Sequence, residues 1–168
     1  DLEMMLLESE SVKQALRSWT PDYDEAFGKC IPICRHFGYL RIYNDVYDLS
    51  VKFHDNLRPN KYWDFQQQAV TATWEQDSTA KFVELSEGKC TVADVKAFIT
   101  THKLENENLY DVCQGHDLLK LLSLTLVHVQ TYSVEFIMAK MTEAYTLDDF
   151  KSTQLYASIQ AWQALLFL

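Results

Sequence analysis

A chain of 168 residues has room for one domain, and 48% hydrophobic with 13% aromatic residues gives it a core that excludes disorder. A formal charge of −9 with no run of Lys or Arg excludes a general nucleic-acid binder, whose phosphate contacts need clustered cations. Four glycines and three prolines are too few for the turns of an all-β protein, so an all-α fold of helices joined by short polar loops is expected.

The opening stretch, residues 1–7, mixes Glu3 with Leu2, Met4, Met5, Leu6 and Leu7. Ser11 and Gln14 stand at capping-box spacing and predict a helix running to Trp19. Thr20-Pro21-Asp22 predicts the next start, with a Thr cap, Pro in the first turn and acids behind it. That helix turns Ala26, Phe27, Cys30, Ile33, Cys34 and Phe37 inward, carries Pro32 as a potential kink, and is expected to end at Gly38. Residues 39–57 predict a second helix with two apolar stripes. Ile42, Val46, Leu49, Phe53 and Leu57 form one, and Tyr39, Tyr43 and Tyr47 the other, as in a helix sandwiched between neighbours.

Arg58-Pro59-Asn60 breaks the run, and a helix over residues 61–76 is expected to follow. Asp77-Ser78 starts a short helix that Gly88 stops. Thr91 and Asp94 form a capping-box start, and Asn106 caps a short helix with Leu109, Tyr110 and Cys113 that ends at Gly115. Residues 117–145 read as a helix apolar on nearly every side, from Leu118 to Met141, with a break possible at Thr131-Tyr132-Ser133. Such a helix must be wrapped by other helices or by lipid. Lys120, His128, Glu135 and Lys140 interrupt it too often for a membrane span. Thr146 and Asp149 repeat the capping pattern for a last helix carrying Phe150, Leu155, Ile159, Trp162 and Leu166.

The expected architecture is a single all-α domain over residues 1–168, with about eight antiparallel helices, as stacked pairs or as a compact orthogonal bundle around the buried helix at 117–145. No fixed period marks a repeat family. The chain opens on Asp1 without a signal-peptide pattern and closes on the apolar run 164–168, which reads as a docked helix or as a fragment of a longer helical array. Cys30, Cys34, Cys90 and Cys113 stand among apolar neighbours. They are expected to be free core thiols of an intracellular, reducing compartment, cytoplasm or nuclear-envelope assembly.

Three constellations bear on function. His54-Asp55, in the run from Val51 to Pro59, resembles the His-Asp core of HD-family metal phosphohydrolases. The likeness implies metal ligation, with His36 as the upstream His and Asp111 or Asp117 as the distant carboxylate. Asn56 and Leu57 depart from the family, which usually has an apolar residue and a Gly there. Cys113 and His116 have the spacing of half a zinc site that Cys90 or the Cys30/Cys34 pair would complete, but Cys30 and Cys34 are set wide for a knuckle and fall inside a helix, so core cysteines are the expected reading. The acidic-apolar opening, where Leu2, Met5 and Leu6 stand beside Glu3, Glu8 and Glu10, and the apolar last helix, with Trp162 and Leu166, are the candidate partner-binding residues.

Residues 25–57, read as a hairpin through Ala26-Phe27, Cys34, Phe37-Gly38-Tyr39-Leu40, Tyr43, Val46 and Leu49, resemble the irregular helical-pair units of scaffold nucleoporins and vesicle-coat proteins. The resemblance implies an α-solenoid-like interaction domain of a large assembly. A compact bundle around a buried hairpin is similar to viral or cellular Bcl-2-like regulators, which bind a partner helix, although the Asn-Trp-Gly-Arg signature is absent. No phosphate loop, nucleophile elbow or metalloprotease motif occurs. The leading expectation is therefore a non-catalytic protein–protein interaction or scaffold domain with an acidic surface, a protein partner and no cofactor.

Overall fold

A computed structural model describes residues 2–53, 57–126 and 133–166, with side chains to Gln163. Among these residues are ten α-helices, two 3-10 turns and one two-stranded ribbon. The core is a single cluster centred on α3 (Tyr23–Val46) and α7 (Gly115–Thr125), which pack against each other. On α3, Cys30, Ile33, Cys34, Phe37 and Leu40 recur at helical spacing and are fully enclosed. On α7, Leu118, Leu119, Leu121 and Leu122 are enclosed as well. Around this pair lie α1 (Leu2–Glu8), α2 (Glu10–Trp19), α4 (Trp74–Leu85), α5 (Val92–Thr101), α6 (Leu109–Val112) and α8 (Val134–Ala144). The chain finishes with α9 (Leu147–Lys151) and α10 (Gln154–Leu166).

The all-α class stands, but several boundaries move. Gly38 does not end a helix: α3 runs straight through it to Val46. A Cβ at Gly38 would lie 2.2 Å from the Val112 carbonyl oxygen, so glycine is there to let α6 approach α3, not to terminate anything. Of the expected helix over 39–57, residues 39–46 are the second half of α3, residues 47–53 are irregular chain, and residues 54–56 lie outside the described residues. Asp48 and Ser50 take positive φ, and the Asn44 side chain accepts from the Val51 amide at 2.8 Å. Of the expected stripes Leu49, Leu57, Tyr39 and Tyr43 are buried, whereas Val46 and Tyr47 are 60% and 53% exposed. Residues 25–46 of the hairpin that carried the nucleoporin-like resemblance are therefore one continuous helix.

The helix expected over 61–76 is a 3-10 turn (Pro59–Tyr62) and a ribbon of β1 (Trp63–Asp64) with β2 (Ala69–Val70), Trp63 facing Val70. Asp64 Oδ1 accepts from the amides of Gln66 and Gln67, offering the backbone a turn in place of a helix. The start of α2 is capped by Ser9, not Ser11. Thr20 closes α2, and Asp22, not Thr20, precedes α3. Asn108, not Asn106, caps α6, and Gly115 opens α7 instead of closing α6.

The buried helix expected over 117–145 is two helices, α7 and α8. Ser133 caps the second by accepting from the Phe136 amide. α7 buries Leu118, Leu119, Leu121 and Leu122 and leaves His116 and Lys120 exposed, whereas α8 buries Ile137 and Met141 and exposes Phe136. Both capping boxes at Thr91/Asp94 and Thr146/Asp149 form with their reciprocal hydrogen bonds. Among the described residues no helix is long and apolar enough to cross a membrane.

Candidate functional site

Two concave regions bring polar side chains together. The first lies between α1, α6 and the α9–α10 junction. Two adjoining cavities of 540 and 360 Å³ there share Met5, Glu8, Tyr110, Asp111, Thr153 and Gln154, forming one groove. Amphipathic α1 builds its floor. Met4, Leu6 and Leu7 face the core, leaving Leu2, 58% exposed, and half-buried Met5 to face outward. Leu155 of α10, 54% exposed, continues the apolar surface on the far wall.

The rim is acidic. Glu8, Glu10, Asp111 and Asp149 line the groove, and no Lys or Arg does among the described residues. Glu10 is met from outside by Lys13 at 2.8 Å, whose ammonium also lies 5.8 Å from the Tyr110 ring. Asp149 accepts from Ser9 Oγ at 2.7 Å and from the Thr146 amide at 2.8 Å, and also from the Thr146 hydroxyl. The Thr146 bond above all, then the Ser9 bond, holds this carboxyl well below the usual carboxylate range, so it is charged at any physiological pH. Glu8 and Asp111 make no ion pair among the described residues.

The second region is a 650 Å³ cavity between the end of α3, the 51–60 segment and the start of α7. Arg41 Nη2 reaches Asp117 Oδ2 at 2.5 Å, and its guanidinium lies 4.8 Å from the Phe53 ring centre. Lys52, Arg58 and Lys120 supply further cations, opposed by Asp45 and Glu135. Asp117 is thus engaged as the partner of Arg41, and the pair ties α3 to α7.

The candidate metal residues are not gathered. His36 faces α4, where it meets Thr79 at 3.1 Å and the Trp74 ring edge-on at 5.4 Å. Asp111 stands on the groove rim and Asp117 in the other cavity. His54 and Asp55 lie outside the described residues. Among the described residues no three His, Cys, Asp or Glu side chains cluster as metal ligands would. Cys113 is buried while its spacing partner His116 is exposed. Cys30, Cys34, Cys90 and Cys113 are all free and buried. Desolvation pushes the Cys30 and Cys113 thiols up to about 12 and Cys34 well above its ordinary value. Thiols held protonated in this way are poor nucleophiles.

Of the candidate partner-binding residues, Leu2 and Met5 line the groove. Leu6 does not: at 3% exposure it is part of the core, one turn further along α1 than the exposed Leu2. Trp162, 61% exposed, lies on α10 away from the groove lining. Leu166 is the last helical residue, and its side chain falls outside the described set. Glu8 and Glu10 belong to the acidic-apolar opening expected to dock a partner, whereas Tyr110 and Asp149 carry no such expectation. Their only local signal is that Asp149 belongs to a capping box, and their convergence depends on the fold. No protein-family model, curated protein or solved structure matches the chain.

Proposed function

We propose that this domain is a non-catalytic protein-interaction module, and that its groove between α1, α6 and α10 receives an amphipathic, basic segment of a protein partner. The single observation that carries the reading is the lining: an apolar floor of Leu2, Met5 and Leu155 under a rim of Glu8, Glu10, Asp111 and Asp149. An apolar helix face would fill the floor, and Lys or Arg flanking it would meet the rim. One core shared by α1 to α8 supports a closed bundle bearing a groove over a stack of helical pairs. Helix-in-groove binding is also the mode implied by the likeness to Bcl-2-like regulators.

The test titrates two synthetic helical peptides of identical leucine spacing, one with Lys and Arg flanks and one with Glu flanks, against the domain by fluorescence anisotropy. The basic peptide is expected to bind, more weakly as salt rises. The double substitution Glu8→Lys with Asp111→Lys should weaken it roughly five- to tenfold, at up to about 1 kcal/mol per exposed charge pair. Equal binding of both peptides, or indifference to the double substitution, refutes the proposal.

A further inference from the structure

We infer that the 650 Å³ cavity between the end of α3, the chain around Lys52 and Arg58, and the start of α7 is a binding site for the phosphate group of a small molecule. A concavity of this volume is in the range that encloses a small ligand. Its charge runs against that of the whole chain, which holds 15 Lys and Arg against 24 Asp and Glu. Here the balance inverts: Arg41, Lys52, Arg58 and Lys120 stand against Asp45, Asp117 and Glu135, with His116 beside them. The groove between α1, α6 and α10 is lined by carboxylates and, among the described residues, by no Lys or Arg. The two concavities therefore select ligands of opposite charge.

Two of the three carboxylates are already engaged. Asp117 is taken by Arg41 Nη2 at 2.5 Å. Glu135 accepts from its own backbone amide and from Ser133, and those bonds, with Lys120 and His116 nearby, hold it below its ordinary range. Asp45, which is exposed, remains to oppose the cations. On the other side of the balance, Lys52 and Lys120 make no ion pair among the described residues. Arg41 Nη1 is buried without a hydrogen-bond partner, so one carboxylate undercompensates this guanidinium, which is held over Phe53 at 4.8 Å from the ring centre. Gln114, His116 and Asp117 bring the start of α7 to the cavity, and the positive end of that helix adds to the same field. A phosphate monoester, with a charge of about −1.5 to −2 and three acceptor oxygens, is the anion that cations from several elements are suited to share. Val51, Phe53 and Val134 supply an apolar wall for the body that carries it.

The test titrates the full chain with phenyl phosphate by isothermal calorimetry, with benzyl alcohol as an uncharged body of similar size. Far-ultraviolet dichroism confirms that each variant is folded. Phenyl phosphate should bind and benzyl alcohol should not. Lys52→Gln and Lys120→Gln, both at exposed positions, should each weaken binding at least ~3-fold, and together ~10-fold. Lys96→Gln, which removes an exposed charge from α5 outside the cavity lining, should leave it unchanged. Co-sedimentation with phosphatidylcholine vesicles carrying phosphatidic acid asks whether the phosphate arrives on a lipid. Vesicle capture that the double lysine variant loses assigns the same cavity to a headgroup. Binding of neither the free nor the lipid-borne phosphate overturns the inference. So does equal affinity for benzyl alcohol, indifference to the double lysine variant, or an equal loss in Lys96→Gln. No groove residue is altered, so the outcome is independent of the peptide titration.

Discussion

His36 shows how one hydrogen atom settles which partner donates in a buried contact. Thr79 Oγ1 donates its only hydrogen to the Glu75 carbonyl at 2.8 Å, so toward His36 Nε2, at 3.1 Å, it offers lone pairs alone. With that bond made Nε2 donates to Thr79, and it is burial that keeps the ring neutral. Burial lowers the pKa of His36 to about 4, while the unfolded chain retains an ordinary value near 6.5. Below pH 6.5 the unfolded state thus binds a proton that the folded state refuses. The stability from the neutral ring is complete above pH 6.5 and is lost as pH falls toward 4, by up to about 3 kcal/mol. Gln at position 36 can still donate to Thr79 but does not titrate. Urea unfolding at pH 7.0 and 4.5 should show a clearly smaller decline for His36→Gln than for wild type. Equal declines would remove His36 as the source.

At the scale of elements, α3 carries two glycines with opposite consequences. Gly28 is exposed, and a Cβ there meets nothing within 4 Å, so Gly28→Ala should stabilise the helix by about 0.5–1 kcal/mol through backbone entropy. Gly38→Ala would drive a methyl into the Val112 carbonyl and Cγ1, and should cost about 3 kcal/mol or fail to fold. Thermal denaturation of the two variants should shift in opposite directions. The same pair explains what could be read from the chain. A capping box such as Thr91/Asp94 is legible because donor and acceptor stand three residues apart. Whether a glycine stops a helix or admits a neighbour depends on Val112, far along the chain, and nothing near Gly38 records it. The ribbon at Trp63 was hidden for a related reason: its apolar residues also fit a helical period, and only the Asp64 side chain, bonding to Gln66 and Gln67, tips the balance. Of the groove, Leu2 and Met5 were visible in the acidic-apolar opening, whereas Tyr110, Asp149 and Leu155 join them only through packing.

For the whole molecule, one core encloses all four cysteines, so thiol chemistry reports on global opening. Iodoacetamide should leave the native protein almost unmodified and label the four thiols together in denaturant. A site labelled rapidly under native conditions would mark a locally open region that this packing does not contain. The groove carries four carboxylates, Glu8, Glu10, Asp111 and Asp149, and α10 carries none. Between them lies the bond from Ser9 to Asp149, which joins residues 140 positions apart. Ser9 both accepts from the Val12 amide to start α2 and donates to the carboxylate that starts α9. The two helix starts are therefore one fastening. If it lets go, α9 comes away from the α1–α2 turn, and the groove beside it loses one of its walls.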